Sequence, residues 1–261
     1  MPSLCKALAS LFALAQRARV NLCCNGSMAT QFLQTLAELG ARSTAWYALA
    51  RALRLAGISM YRYHFMAQPV ATGAMRSAPG KLAMGSIASL DQLPSAYPRP
   101  REVVAARFRQ GGYNIAAWKG AELAGILWYQ LGAYQEDEVR ARYCLPSPHS
   151  CWDYDVFVKP SMRLGTAFCR LWDEANKQLQ ERGIEWTCSR ISAFNPGSLR
   201  AHARIGSIPM GCATFFRLGR WQLMLASLPP YCHLSNGPAS WPQLVFDTRT
   251  LEKGARQCKA S

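Results

Sequence analysis

Residues 150–183 pass from a strand pattern to a long helix pattern across one short turn. That junction restricts the fold more than any other stretch of the chain. SCWDYDVFV (150–158) alternates and is rich in aromatic and β-branched residues, and Lys159-Pro160 ends it, so it reads as a strand. GTAFCRLWDEANKQLQERG then repeats apolar residues at helical spacing. Phe168, Leu171, Trp172, Ala175 and Leu179 share one stripe, and Gly183 closes the helix. The turn between them carries Arg163 and Gly165. The first N–H groups of a helix have no partner within it and lie at the positive end of its dipole, which favours anions. Gly165 permits close approach to the backbone and Arg163 adds a charged donor. A pyrophosphate suits such a turn; an ordinary strand–turn–helix accounts for the same residues equally well.

The flanking sequence supplies the rest of the sheet. MYRYHFMAQPV from Met60 reads as a strand closed by Pro69, 71–80 as a loop, and KLAMGSI as a short strand. PREVVAARFRQGG is a helix opened by Pro100 and stopped by Gly111-Gly112. YNIAAWKG and ELAGILWYQLGAY form a hairpin at Lys119-Gly120, and EDEVRARYCL is a further strand. After the long helix come a strand, IEWTCSRISAF, then a short helix capped by Asn195 with Pro196 in its first turn. Two more strands, MGCATFFRLG and RWQLMLA, end this region. There is no internal repeat. The expected class is α+β: a mixed, mostly antiparallel central sheet flanked by helices. Three regions are expected: a basic helical extension over 1–59 with helices at 27–39 and 43–56, a main domain over 60–226, and an irregular segment over 227–261 rich in Pro, Ser and Gly.

Half of the residues are hydrophobic and 17% are charged, the balance of a packed chain. Lys and Arg number 30 against 15 acidic residues, a net charge of +15. That excess favours a polyanionic partner: a phosphate-rich cofactor, an anionic membrane surface or nucleic acid. The aromatic-basic runs YRYHF and FFRLGRW could stack on single-stranded nucleic acid, but strand alternation explains them as core residues beside solvated Arg. Nucleic acid is therefore not the expected partner. The basic amphipathic helix at 43–56 could touch a membrane surface, and packing on its own domain is the commoner fate of such helices. The ten cysteines are scattered without a C-x-x-C pair, and CLPSPHSC matches no zinc spacing, so no metal is expected. Residues 4–15 have the composition of a short signal core, but little charge precedes them and QRAR follows. A cytoplasmic protein with reduced thiols is the expectation.

The stretch from Asp153 to Gly206 resembles the GNAT acetyltransferase superfamily. Its turn pattern, Q/R-x-x-G-x-G/A, corresponds here to Met162 through Ala167: Gly165 and Ala167 match, Met162 departs, and Arg163 stands one position on. Its later pattern, roughly N-x-x-[AS]-x-x-x-Y-x-x-x-G-F, is met at Asn195, Ser198 and Gly206, with His202 in place of Tyr and Ser207 in place of Phe. The resemblance spans about 160 residues through the order of elements. It implies that the strand before the long helix splays from its neighbour and that acyl-CoA, acetyl-CoA or another, lies in the gap. The residues it places around the CoA are Phe157 and Val158 at the strand end, Arg163, Leu164, Gly165, Thr166 and Ala167 at the turn, and Asn195 and Ser198 beyond. The acid that protonates the departing thiolate would be His202.

Attack by an amine also requires a base. Asp153 and Asp155 lie two apart on SCWDYDVFV and are expected on one face, opposite Trp152, Tyr154, Val156 and Val158. Two carboxylates there need water, a substrate or Arg partners such as Arg140, Arg142 or Arg190. Glu136, Asp137 and Glu138 are further candidates. The expected function is N-acyl transfer to a primary amine by direct attack in a ternary complex. The rival is a fold of this kind that binds CoA or a partner without turnover. The acceptor and the oligomeric state are not legible.

Overall fold

A computed structural model describes residues 43–71, 73, 82–95, 97–162 and 166–251. The helix expected over 27–39, most of the 71–80 loop, and Arg163, Leu164 and Gly165 lie outside the described residues. The chain divides into two compact units, Met1–Ala48 and Leu49–Ser261. Of the first, residues 43–48 are described and are helical. The second opens with helical residues 49–55.

Nine strands of the second unit form one sheet. In chain order the elements are β1 (Ser59–Pro69), β2 (Ala83–Gly85), α1 (Arg101–Arg109), β3 (Tyr113–Lys119), β4 (Glu122–Leu131), β5 (Ala133–Gln135), β6 (Arg142–Cys144), β7 (Ser150–Val158), α2 (Ala167–Glu181), β8 (Trp186–Ser192), α3 (Pro196–Arg204), β9 (Ile208–Leu218), β10 (Trp221–Ala226), β11 (Cys232–Asn236) and β12 (Gln243–Val245). The large sheet runs β11-β10-β9-β1-β8-β7-β4-β3-β2. Every neighbouring pair is antiparallel except β7 and β8. A small sheet, β12-β6-β5, stands apart from it. The mixed, mostly antiparallel sheet with flanking helices agrees with the class read from the sequence.

Two expectations are corrected. The irregular C-terminal segment contains two strands: β11 extends the large sheet beside β10, and β12 pairs in parallel with β6. Both are short and lie among Pro and Gly, which hides their alternation. EDEVRARYCL is not one strand either. The Glu136 carboxylate accepts from the N–H groups of Asp137 and Glu138, and the Glu136 N–H donates to the carbonyl of Ala141, so residues 136–141 loop back and only Arg142–Cys144 of that run is a strand.

The sheet buries a core on each face. One face carries an aromatic cluster in which Phe65, Tyr143, Trp152 and Phe246 meet with ring centroids between 4.4 and 6.4 Å apart. The small sheet contributes Tyr134, Tyr143 and Leu244 to this cluster, and α1 contributes Val104. Burying each phenylalanine there is worth roughly 1.5–3 kcal/mol relative to exposure. The other face receives α2, whose Leu171, Trp172, Ala175 and Leu179 pack on Leu127, Tyr129 and Cys151. Gly183, at φ +72°, ends α2, and the N–H of Ile184 donates to the carbonyl of Leu179.

Gly125 on β4 lets α2 and β7 close on the sheet. A Cβ there would lie 2.8 Å from the carbonyl oxygen of Phe157 and 3.0 Å from a methyl of Leu171. The backbone atom cannot swing aside, so Gly125→Ala should destabilise the fold by roughly 1–3 kcal/mol in a urea titration. An unchanged midpoint would mean that the helix and strand are looser than described.

Candidate active site

The neighbouring strands β7 and β8 are hydrogen-bonded only at their beginnings. Ser150, Cys151 and Trp152 pair with Trp186, Thr187 and Cys188, while β7 continues to Val158 and β8 to Ser192. On its outer edge β7 stays paired with β4 as far as Val158, and β8 stays paired with β1 along its length. The inner edges, 153–158 and 189–192, are therefore open to each other across a wedge whose apex is the pair Trp152 and Cys188.

A bulge shapes the β7 side of this wedge. Ile126 of β4 pairs with Phe157 and Trp128 with Tyr154, so Asp155 and Val156 together oppose Leu127. Asp155 adopts φ +53°, a left-handed conformation that Asp tolerates better than most residues. The extra residue reverses the alternation, and here the expected same-face pair of carboxylates is corrected. Asp153 lies on the α2 face with Cys151 and Thr187. Asp155 lies on the opposite face with Tyr154, beside guanidinium groups. Val158 packs under α2, whereas Phe157 packs against the aromatic cluster.

The two carboxylates differ in character. Asp153 is 2% exposed, its Oδ2 has no hydrogen-bond partner among the described residues, and it is the first β7 residue past the wedge apex. Burial pushes its carboxyl up to about 7, with neighbouring Thr187 pulling the other way. The Asp155 side chain is 8% exposed, and burial alone would raise its carboxyl. Arg99 binds it through Nε at 2.9 and 3.0 Å and through Nη2, and Arg107 Nη1 donates to it at 2.5 Å. The net effect holds Asp155 below the usual carboxylate range. It is a fixed charge, which makes it a poor base.

Arg107 links this carboxylate to a second one. Its Nη2 donates to Asp137 at 2.7 Å, and its guanidinium stacks over Trp128 and Tyr154. Arg190 of β8 holds Glu136 at 2.5 and 2.9 Å and Glu138 at 3.0 Å. Arg190 was expected from the sequence to partner Asp153 or Asp155, but it pairs with Glu136 and Glu138. Arg140 instead donates to the carbonyl of Arg220. Arg99 and Arg107 were missed, although Arg107 follows Val104 by three residues on the buried stripe of α1, where a charge signals a buried partner. Arg99, Arg107, Asp137, Asp155 and Arg190 line a cavity of about 200 Å³ at the wedge mouth, on the face away from α2 and reaching Ser192, Asn195 and Ser198.

Past the end of β7 lies a 3-10 turn, Pro160–Met162, and α2 begins at Ala167 with Thr166 as its N-cap. Thr166 makes no side-chain cap and α2 has no acidic residue in its first turn, so among the described residues nothing offsets the positive potential of its leading N–H groups, beginning at Ala167. On α3 the Oδ1 of Asn195 accepts from the N–H of Ser198 at 3.0 Å. That oxygen is committed to the helix start. His202 is 5% exposed and meets the edge of Trp172 at 6.2 Å between centroids. Its Nδ1 has no partner among the described residues, and burial pushes the ring down to about 4. At neutral pH the imidazole is uncharged.

No protein-family model matches this chain, and no curated protein matches it significantly. Among solved structures it is similar to a functionally unknown conserved protein from Staphylococcus epidermidis, at 8% identity over 65% of each chain with a TM-score of 0.43. It is also similar to a tandem GNAT protein of the clavulanic acid biosynthesis pathway, at 14% identity over 64% of this chain and 57% of that one, TM-score 0.42. A GCN5-related N-acetyltransferase from Kribbella flavida matches at 13% identity over 73% of this chain and 64% of that one, TM-score 0.38. The chain spans less than two thirds of the length of each of these proteins.

Proposed function

We propose that the protein is an N-acyltransferase moving an acyl group, acetyl in the simplest case, from acyl-CoA to a primary amine. The observation that carries this reading is the parting of β7 from β8 just before a long helix whose N-cap, Thr166, makes no side-chain cap. Open strand edges accept an extended, amide-bearing arm much as they accept an added strand. The pantetheine arm of CoA is such a group, and Phe157 and Val158 would flank its path. Thr166, Ala167 and the turn residues Arg163, Leu164 and Gly165 would hold the pyrophosphate.

The bound donor supplies a thioester carbonyl. The amine attacks it from the cavity, a C–N bond forms and the C–S bond breaks. In this reading the amine's proton passes through water in the wedge, from the cavity side to ionised Asp153 on the α2 side, whose affinity for a proton near neutral pH suits a general base. Protonated Asp153 then returns it to the leaving thiolate, a stronger base, since a free thiol has a pKa of about 8.5. Asp155 serves as a charged strut within the bulge. His202, uncharged at neutral pH, is ill suited to the acid role expected of it and seats α3 against Trp172. His202→Phe should accordingly keep turnover within about threefold of wild type. A loss of a hundredfold would return the acid role to His202.

The test is calorimetry with acetyl-CoA, followed by thiol release across a panel of amines. No binding of acetyl-CoA would sink the proposal. The neutral His202 also favours a second reading, in which acyl-CoA is bound without turnover; tight binding with no thiol release from any amine would select it.

A further inference from the structure

The cavity at the wedge mouth carries charges of both signs, and they are not all used up within the protein. Arg107 spends both terminal nitrogens on Asp155 and Asp137. Arg99 and Arg190, which also line the cavity, behave differently. Arg99 engages Asp155 through Nε and Nη2, and Arg190 engages Glu136 and Glu138 through the same two atoms. In each, Nη1 makes no hydrogen bond among the described residues. The Arg99 side chain is 49% exposed and that of Arg190 22%. Asp137, 26% exposed, lines the same cavity with the opposite charge; burial would raise its carboxyl, but hydrogen bonding with Glu136 and Arg107 holds it below the ordinary carboxylate range.

Such a lining discriminates among amines. A polycation would meet three guanidinium groups in about 200 Å³, and an apolar amine would strip water from charged groups without replacing it. A molecule bearing one carboxylate and one amine satisfies both poles: the carboxylate accepts from the spare Nη1 atoms, and the amine turns toward Asp137 and the bulge. The cavity has room for a free amino acid. Resting on the acyl-transfer reading for its chemistry, we propose that the acceptor is a free amino acid whose carboxylate is read by Arg99 and Arg190.

The experiment compares amino acids with their decarboxylated counterparts: tyrosine with tyramine, histidine with histamine and lysine with cadaverine, with spermidine as the polycation. Thiol release from acetyl-CoA should favour at least one amino acid over its matched amine by about tenfold or more in kcat/KM, the size of a lost charge-assisted contact. Arg99→Gln should remove that preference by raising KM for the amino acid, while KM for the matched amine moves less than about twofold. Arg99→Lys keeps the charge beside Asp155 without the planar fork and should lose part of the preference. A merely structural role would depress both substrates of a pair alike. Equal use of amino acid and amine by the wild type, or preference for spermidine, overturns the proposal. Thermal shift with the same compounds in the presence of CoA reads the cavity without chemistry. Amino-acid binding with no thiol release would support the cavity's ligand class and sink acyl transfer; no binding by any amino acid would sink the ligand class.

Discussion

Asp153→Asn should lower acyl-transfer turnover by about a hundredfold or more while acetyl-CoA still binds. The residue must be ionised to accept a proton, so wild-type kcat should rise with pH through about 7 and then level. That limb should be absent in the variant. The same substitution should strengthen the fold, and here the sign is informative. The folded-state pKa of Asp153 lies above its ordinary 3.8. Its contribution to stability is therefore complete below about 3.8 and is lost as pH rises through about 7. The asparagine escapes that loss. Asp153→Asn should gain on the order of a few kcal/mol over wild type at pH 8 and match it near pH 4 in urea titrations. An inactive variant with the same stability difference at both pH values would deny that the carboxyl is buried with a raised pKa. A variant that turns over at the wild-type rate would remove Asp153 from the chemistry.

Arg107→Ala should be among the most destabilising single changes in the protein. The guanidinium, 3% exposed, is shared between Asp155 and Asp137 and lies over two aromatic rings. Removing it leaves Asp155, its side chain 8% exposed, with Arg99 as its remaining ion-pair partner among the described residues, and leaves Asp137 with none among them. Breaking a buried pair from one side typically costs about 3–5 kcal/mol, because the other charge stays buried. Asp155 has a depressed pKa, so its contribution is present above the ordinary carboxylate range and fades as pH falls through the folded value. The gap between Arg107→Ala and wild type should therefore narrow on acidification. A loss below about 1 kcal/mol, equal at pH 7 and pH 3, would mean that the pair is solvated and holds nothing.

What could be read in advance followed the range of the interactions involved. The strand at 150–158, the helix from Ala167 and the cap at Asn195 depend on residues within a few positions of one another, and they lie where the patterns put them. The side on which Asp155 emerges depends on one extra residue opposite Leu127, and alternation has no means of registering it. Its partners, Arg99 and Arg107, lie on another loop and helix some fifty positions away. No local pattern joins them to Asp155. β11 and β12 were missed because neither has more than five residues and each depends on a distant partner strand. The character of His202 rests on burial, and Trp172, whose ring it meets, belongs to a different helix.

The place of β1 sets an order of events for a chain leaving the ribosome. This strand lies in the interior of the sheet, with Tyr63 opposite Ser192 on one side and Ala213 on the other. Both partners are synthesised long after it. Until they emerge, the nascent chain displays Tyr63, Phe65 and Ala67 with two bare edges beside them. Contacts of such long sequence separation close slowly and leave an interval open to aggregation. A ribosome stalled before β8 would carry a polypeptide unable to build the middle of its own sheet. Capture by a chaperone in that interval should fall sharply once β9 has cleared the exit tunnel.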